Sequence, residues 1–232
     1  MPSFMTEEIF EDFLNIRKAM ASSEPCDDPA GIFVPWAGKN LRLTGGLYYV
    51  GIATDGEYNH DVEQSFSCCS KWSEELAQEG GNGRSHTPFW RYLNGLTNHL
   101  YGKDAALSSD NWGWSNLLKI GRTKGSPKDW PKTLINKQKD VAVFCLKHEF
   151  SILEKSIIFI GCSDDYGILD IVLDNPEWNM EFKEIGLYYT INKSNIYIWG
   201  YHPKYVSFIK LFDKQFEMIK RLVFENLDWT TH

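Results

Sequence analysis

The chain has 232 residues, of which 43% are apolar and 24% charged, and a formal net charge of −7. These proportions exclude long disorder and suit one sizeable domain, while the acidic balance argues against a tight, nonspecific grip on duplex phosphates. The five cysteines, at 26, 68, 69, 145 and 162, are odd in number and form no Cys-x-x-Cys pair, so reduced thiols are expected rather than a disulfide framework or a metal centre.

The start, MPSFMTEEIFEDF, is acidic and amphipathic and lacks the basic flank and apolar core of a signal peptide. No run approaches the roughly 18 apolar residues that a membrane span needs. The expectation is a cytoplasmic protein, or a nuclear one in a eukaryote. Thr6 to Met20 reads as a helix: Thr6 suits an N-cap, and Ile9, Phe10, Phe13, Leu14 and Ile16 recur at helical spacing. Ser22 to Asn40, with Pro25, Pro29 and Pro35, reads as loop. Residues 1–44 are therefore expected to form a helix-and-loop extension to a single domain spanning 1–232.

Leu47 to Ala53 is an apolar run after Gly45-Gly46 and predicts a buried strand. A turn-rich loop follows to Asn59, then a helix from His60 to Gln78 that ends at a Gly pair. Pro88 opens a helix that stops at Gly102. Trp112 to Ile120 predicts a second strand region, and Gly121 to Pro131 a basic loop. Lys119, Arg122, Lys124, Lys128 and Lys132 there form a local basic strip, normally a solvated surface and otherwise a DNA-facing edge. Leu134 to Lys155 reads as helix and Ser156 to Gly161 as a third strand. Ser163 or Asp164 could cap a helix towards Leu173. Gly186 to Ile191 and Asn195 to Trp199 flank Asn192-Lys-Ser as a hairpin. Tyr205 to Asn226 predicts a long amphipathic helix. Alternating strands and helices predict a three-layer α/β/α sandwich on a central, mainly parallel four-stranded sheet. Ligands in such sheets bind at the carboxyl ends of the strands.

Those ends carry an ordered set of motifs: Gly51-Ile-Ala-Thr-Asp-Gly-Glu57, Pro88-Phe-Trp-Arg-Tyr-Leu93, Trp114-Ser-Asn-Leu-Leu-Lys119, Leu146-Lys-His-Glu149 before Ile157-Ile-Phe-Ile-Gly161, and Trp199-Gly-Tyr-His-Pro203. Over roughly residues 45 to 205, the series resembles the uracil-DNA glycosylase superfamily. The resemblance implies a DNA glycosylase-like hydrolase acting on a damaged or deaminated base such as uracil, extruded from the stack into a pocket. It implies that Asn116 reads the base edge and that Phe89, or Trp90 after it, stacks on the ring. Gly51 and Ala53 would line the base site. His202 would stabilise charge developing on the base carbonyl. Asp55 and Glu57, with Asp61 beside them, are the carboxylates available to activate water. No cofactor or metal is expected, and Glu149 is read as structural. The partner would be DNA, single-stranded DNA included, or a free nucleobase or nucleotide.

The pattern departs from the family at several points. Ile52 and Ala53 stand where the family often has a polar residue, Thr54 replaces a Pro, and Lys204 replaces the Ser after His-Pro. These departures bear on hydrolysis more than on fold. They motivate an alternative in which the same fold binds a nucleobase or nucleic acid without catalysis, or serves as a protein-interaction module through its Tyr and Trp side chains.

Overall fold

The computed structural model of the protein describes residues 4–22, 29–41, 45–53, 64–81, 87–102, 109–122, 132–163 and 166–227. Helix α1 (Glu7–Ala21) starts where Thr6 predicts: the Ile9 N–H donates to Thr6 Oγ1 at 3.2 Å. Two short strands, β1 (Pro29–Ile32) and β2 (Trp36–Ala37), lie inside the segment read as loop. Strand β3 (Leu47–Gly51) follows. Helix α2 (Phe66–Gly81) begins after the expected His60, and residues 60–63 lie outside the described part. Helix α3 (Pro88–Tyr101) has Thr87 as its N-cap and ends at Gly102. Next come β4 (Trp112–Asn116), β5 (Ile120–Arg122), α4 (Lys132–Ile152), β6 (Ile157–Ile160) and α5 (Ile168–Val172). Gly167, not Ser163, is the N-cap of α5, and Asp164 lies outside the described residues. Strands β7 (Leu187–Asn192) and β8 (Asn195–Gly200) form the expected hairpin. The long C-terminal helix is two helices, α6 (Pro203–Phe208) and α7 (Phe212–Asn226), broken where Lys210 takes a φ of +56°.

The main sheet has six strands in the order β2-β4-β3-β6-β8-β7. Its middle four, β4, β3, β6 and β8, are parallel, and β2 and β7 pair antiparallel at the two edges. The sheet is thus mainly parallel, as its alternation with helices predicts, with an antiparallel strand added on each side. β1 and β5 form a separate two-stranded ribbon. Gln138 of α4 clasps that ribbon: the Ile120 N–H donates to Gln138 Oε1 and Gln138 Nε2 donates to the Ile120 carbonyl, each at 3.1 Å.

A strand's two-residue period sends Tyr48 and Val50 to one face of the sheet and Leu47 and Tyr49 to the other. The first face packs against α1, α4 and α5 through Phe10, Phe13, Leu146 and Ile168. The second packs against α3 and α7 through Tyr92, Leu93, Phe216 and Ile219. The result is the α/β/α sandwich. The segment read as an N-terminal extension is built into it, with α1 in one helical layer and β2 at the sheet edge.

Candidate functional site

The connection from β3 runs to β4 on one side of it, and the chain then returns to β6 on the other. That reversal makes the carboxyl ends of β3 and β6 a topological switch point, where a crevice opens in sheets of this kind. Register defines what stands there. Gly51 pairs with Asn116, Val50 with Ile160, and Ile160 with Trp199. One residue further along, Asn116, Gly51, Gly161 and Gly200 therefore form a row across the four parallel strands.

The row is crowded from beside. A Cβ on Gly51 would stand 2.6 Å from Asn116 Oδ1 and 3.5 Å from the Phe89 ring. A Cβ on Gly161 would collide with the Tyr49 hydroxyl. Only residues without a Cβ admit those side chains. Phe89, in the first turn of α3, is half-buried and packs edge-on against Tyr49, with ring centroids 4.7 Å apart, and against Trp114 at 5.6 Å. The structure thus brings together Gly51, Phe89 and Asn116, three of the residues that the resemblance assigns to a base site. Trp90, the second candidate ring, is buried between Trp112 and Trp114 and belongs to the core.

Asn116 is buried, yet its Nδ2 has no hydrogen-bond partner among the described residues. The same holds for Tyr49 Oη and Trp114 Nε1. A polar group buried without a hydrogen bond costs about 1–3 kcal/mol. These three donors lie on one face of β3 and β4, around Phe89, and Trp112 Nε1, likewise without a partner among the described residues, stands further back on the same face.

The opposite face of the same strands explains how Asn116 is held. Lys119 and Glu149 are both fully buried and pair at 2.7 Å. Lys119 Nζ also donates to Ser115 Oγ at 2.7 Å and to the Asn116 carbonyl at 2.6 Å, which uses all three ammonium protons. Glu149 accepts from the Tyr48 hydroxyl at 2.7 Å and from the Cys145 thiol at 3.2 Å. Burial, then the charge of Glu149, pushes both the Tyr48 phenol and the Cys145 thiol up, so each keeps its proton to donate. Lys119 therefore leaves the basic strip in which its sequence neighbours placed it. It is a buried clamp on the backbone of Asn116, and the structural reading of Glu149 is what the pair displays.

The other expected site residues stand apart from this cluster. Asp55, Glu57 and Asp61 lie outside the described residues. Ile52 and Ala53 pack against the α1–α4 core, on the face away from Phe89. His202 is exposed, two residues beyond β8, and caps α6: the Lys204 N–H donates to its Nδ1 at 3.2 Å. That bond leaves the proton of a neutral imidazole on Nε2. β8 stands three strand spacings from β4, about 14 Å at the usual separation. His202 lines an open hollow of about 570 Å³ with Lys204, Tyr205, Ser207 and Phe208.

Among the described residues, no three His, Cys, Asp or Glu side chains converge as metal ligands, and no helix is long and apolar enough to cross a membrane. Sequence reasoning missed Tyr49 and Trp114. The signal for both is two-residue alternation, since each precedes a site residue, Gly51 or Asn116, by two positions on the same strand face. The chain matches no protein-family model and no curated protein.

Proposed function

We propose that the chain binds a nucleobase at the Asn116–Gly51–Phe89 cluster and acts as a DNA glycosylase-like hydrolase on a damaged or deaminated base such as uracil. The observation that carries this reading is the Asn116 amide, buried with Nδ2 unpartnered among the described residues, at the switch point of the sheet. An Asn amide in that position offers a donor and an acceptor to a base edge, and Phe89 beside it offers a ring. The resemblance assigns the donor to charge forming on the base carbonyl to His202, a role that requires the base to reach from the Asn116 cluster towards the end of β8.

Strand binding has separate support beside His202. Tyr205 and Phe208 are 52% and 83% exposed, and Lys204, Lys210 and Lys214 outnumber Asp213 in that stretch of an otherwise acidic chain. Exposed rings with interleaved cations suit single-stranded nucleic acid.

Single- and double-stranded oligonucleotides carrying uracil or hypoxanthine test the reading, with alkaline strand scission as the readout. Scission is expected with the wild type, slowed about 100-fold in His202→Ala through loss of a charge-stabilising donor. Absence of scission on every oligonucleotide contradicts hydrolysis. The apolar Ile52 and Ala53, packed away from Phe89, favour a second reading in that event: the same cluster binds a base without cleaving it.

A further inference from the structure

We propose that Tyr49 is a second ligand-contacting side chain of this site, its hydroxyl meeting the ligand on the Gly161 side while the Asn116 amide meets it on the Gly51 side. The inference rests on the base-binding reading and deepens it, because it gives the site a second polar contact to the base.

Four observations converge on Tyr49. First, strand alternation points it to the same sheet face as Gly51, the face that carries Phe89 and Trp114. Second, its hydroxyl lies over Gly161, in the space a side chain there would fill, so the group reaches the carboxyl edge at the switch point. Third, the hydroxyl is buried and has no hydrogen-bond partner among the described residues. Fourth, the ring is already fixed by Phe89 at 4.7 Å, Phe159 at 5.2 Å and Tyr92 at 6.3 Å, so packing alone would be served by phenylalanine.

What the hydroxyl adds is a hydrogen bond, and its place assigns that bond to a ligand atom. Burial first, then Tyr92 and Cys162, pushes this phenol up, so it stays protonated and donates. The unpartnered Nδ2 of Asn116 also donates. Two donors on either side of the Gly51–Gly161 pair match a base edge that presents ring carbonyl oxygens.

Tyr49→Phe removes one oxygen and keeps the ring, so a ligand contact shows as weaker binding and a contact within the fold as a lower midpoint. The wild type, Tyr49→Phe and Asn116→Ala are titrated calorimetrically with free uracil and free hypoxanthine, and the thermal midpoint of each ligand-free protein is recorded. Tyr49→Phe is expected to weaken binding about fivefold, as loss of one hydrogen bond does, with no fall in midpoint because no bond among the described residues is lost. A midpoint several degrees below the wild type would assign the hydroxyl to the fold and overturn the proposal, whatever the titrations give. Equal affinity of Tyr49→Phe and the wild type, with binding lost in Asn116→Ala, would overturn the role of Tyr49 and leave the base site standing. No binding of either base by the wild type would overturn the base site and the role of Tyr49 with it.

Discussion

Lys119→Met lowers the free energy of unfolding by about 3–5 kcal/mol, the usual cost of removing one partner from a buried ion pair. The variant leaves Glu149 fully buried beside two neutral donors, the Tyr48 hydroxyl and the Cys145 thiol, with its cation gone. It also strips Ser115 Oγ and the Asn116 carbonyl of their donor. Against the roughly 5–15 kcal/mol that holds a typical domain together, such a loss is large. Urea denaturation followed by tryptophan fluorescence measures it as a shift in midpoint at constant slope. The double variant Lys119→Met, Glu149→Met should recover part of the loss, since it removes both charges at once. Recovery stays incomplete because the Asn116 carbonyl still lacks its ammonium donor and the Tyr48 hydroxyl now loses its carboxylate acceptor. Equal loss in the single and double variants would contradict the account of the pair.

Asn116→Ala has the reverse profile: a large effect on function and a small one on stability. Its Nδ2 makes no hydrogen bond among the described residues that truncation could break, so stability should change by less than about 1.5 kcal/mol, the scale of one net hydrogen bond. Base release should fall about 100-fold, the effect of losing a preorganised polar contact in a water-excluded site. Single-turnover alkaline scission and urea denaturation on the same preparation give both numbers. Unchanged release together with a loss of several kcal/mol would make the amide a structural group.

The parallel strands were legible because Leu47-Tyr-Tyr-Val, bounded by Gly46 and Gly51, and Ile157-Ile-Phe-Ile, closed by Gly161, are short apolar runs, which is how strands covered on both faces read. β1 and β2 were not, because four and two residues among prolines carry no usable period. The break between α6 and α7 was hidden for a different reason. Phe208 and Phe212 are four residues apart, so the helical pattern runs on across the turn at Lys210, where neither Gly nor Pro marks the stop.

At the site, Gly51, Asn116 and Phe89 were legible as members of ordered motifs. Their mutual contact needed the register that pairs β3 with β4. Lys119 was misplaced because charge counting sees its basic neighbours and not Glu149, which stands 30 residues later and is brought to it by α4 packing on the sheet. Tyr49 was invisible because a run apolar on both faces conceals which side each residue takes. Its role depends on Gly161, which is a strand away and 112 residues further along the chain.

The most direct test looks at the Asn116 side-chain amide itself. In a ¹⁵N-labelled sample, the Nδ2 protons give a pair of resonances that Asn116→Ala identifies by their disappearance. Free uracil and free hypoxanthine are then titrated in. The account predicts that this pair shifts progressively and saturates with at least one of the two bases, while the resonances of exposed amides such as Asn179 stay in place. Asn116 resonances that hold still throughout both titrations would contradict a base site at the edge of the sheet.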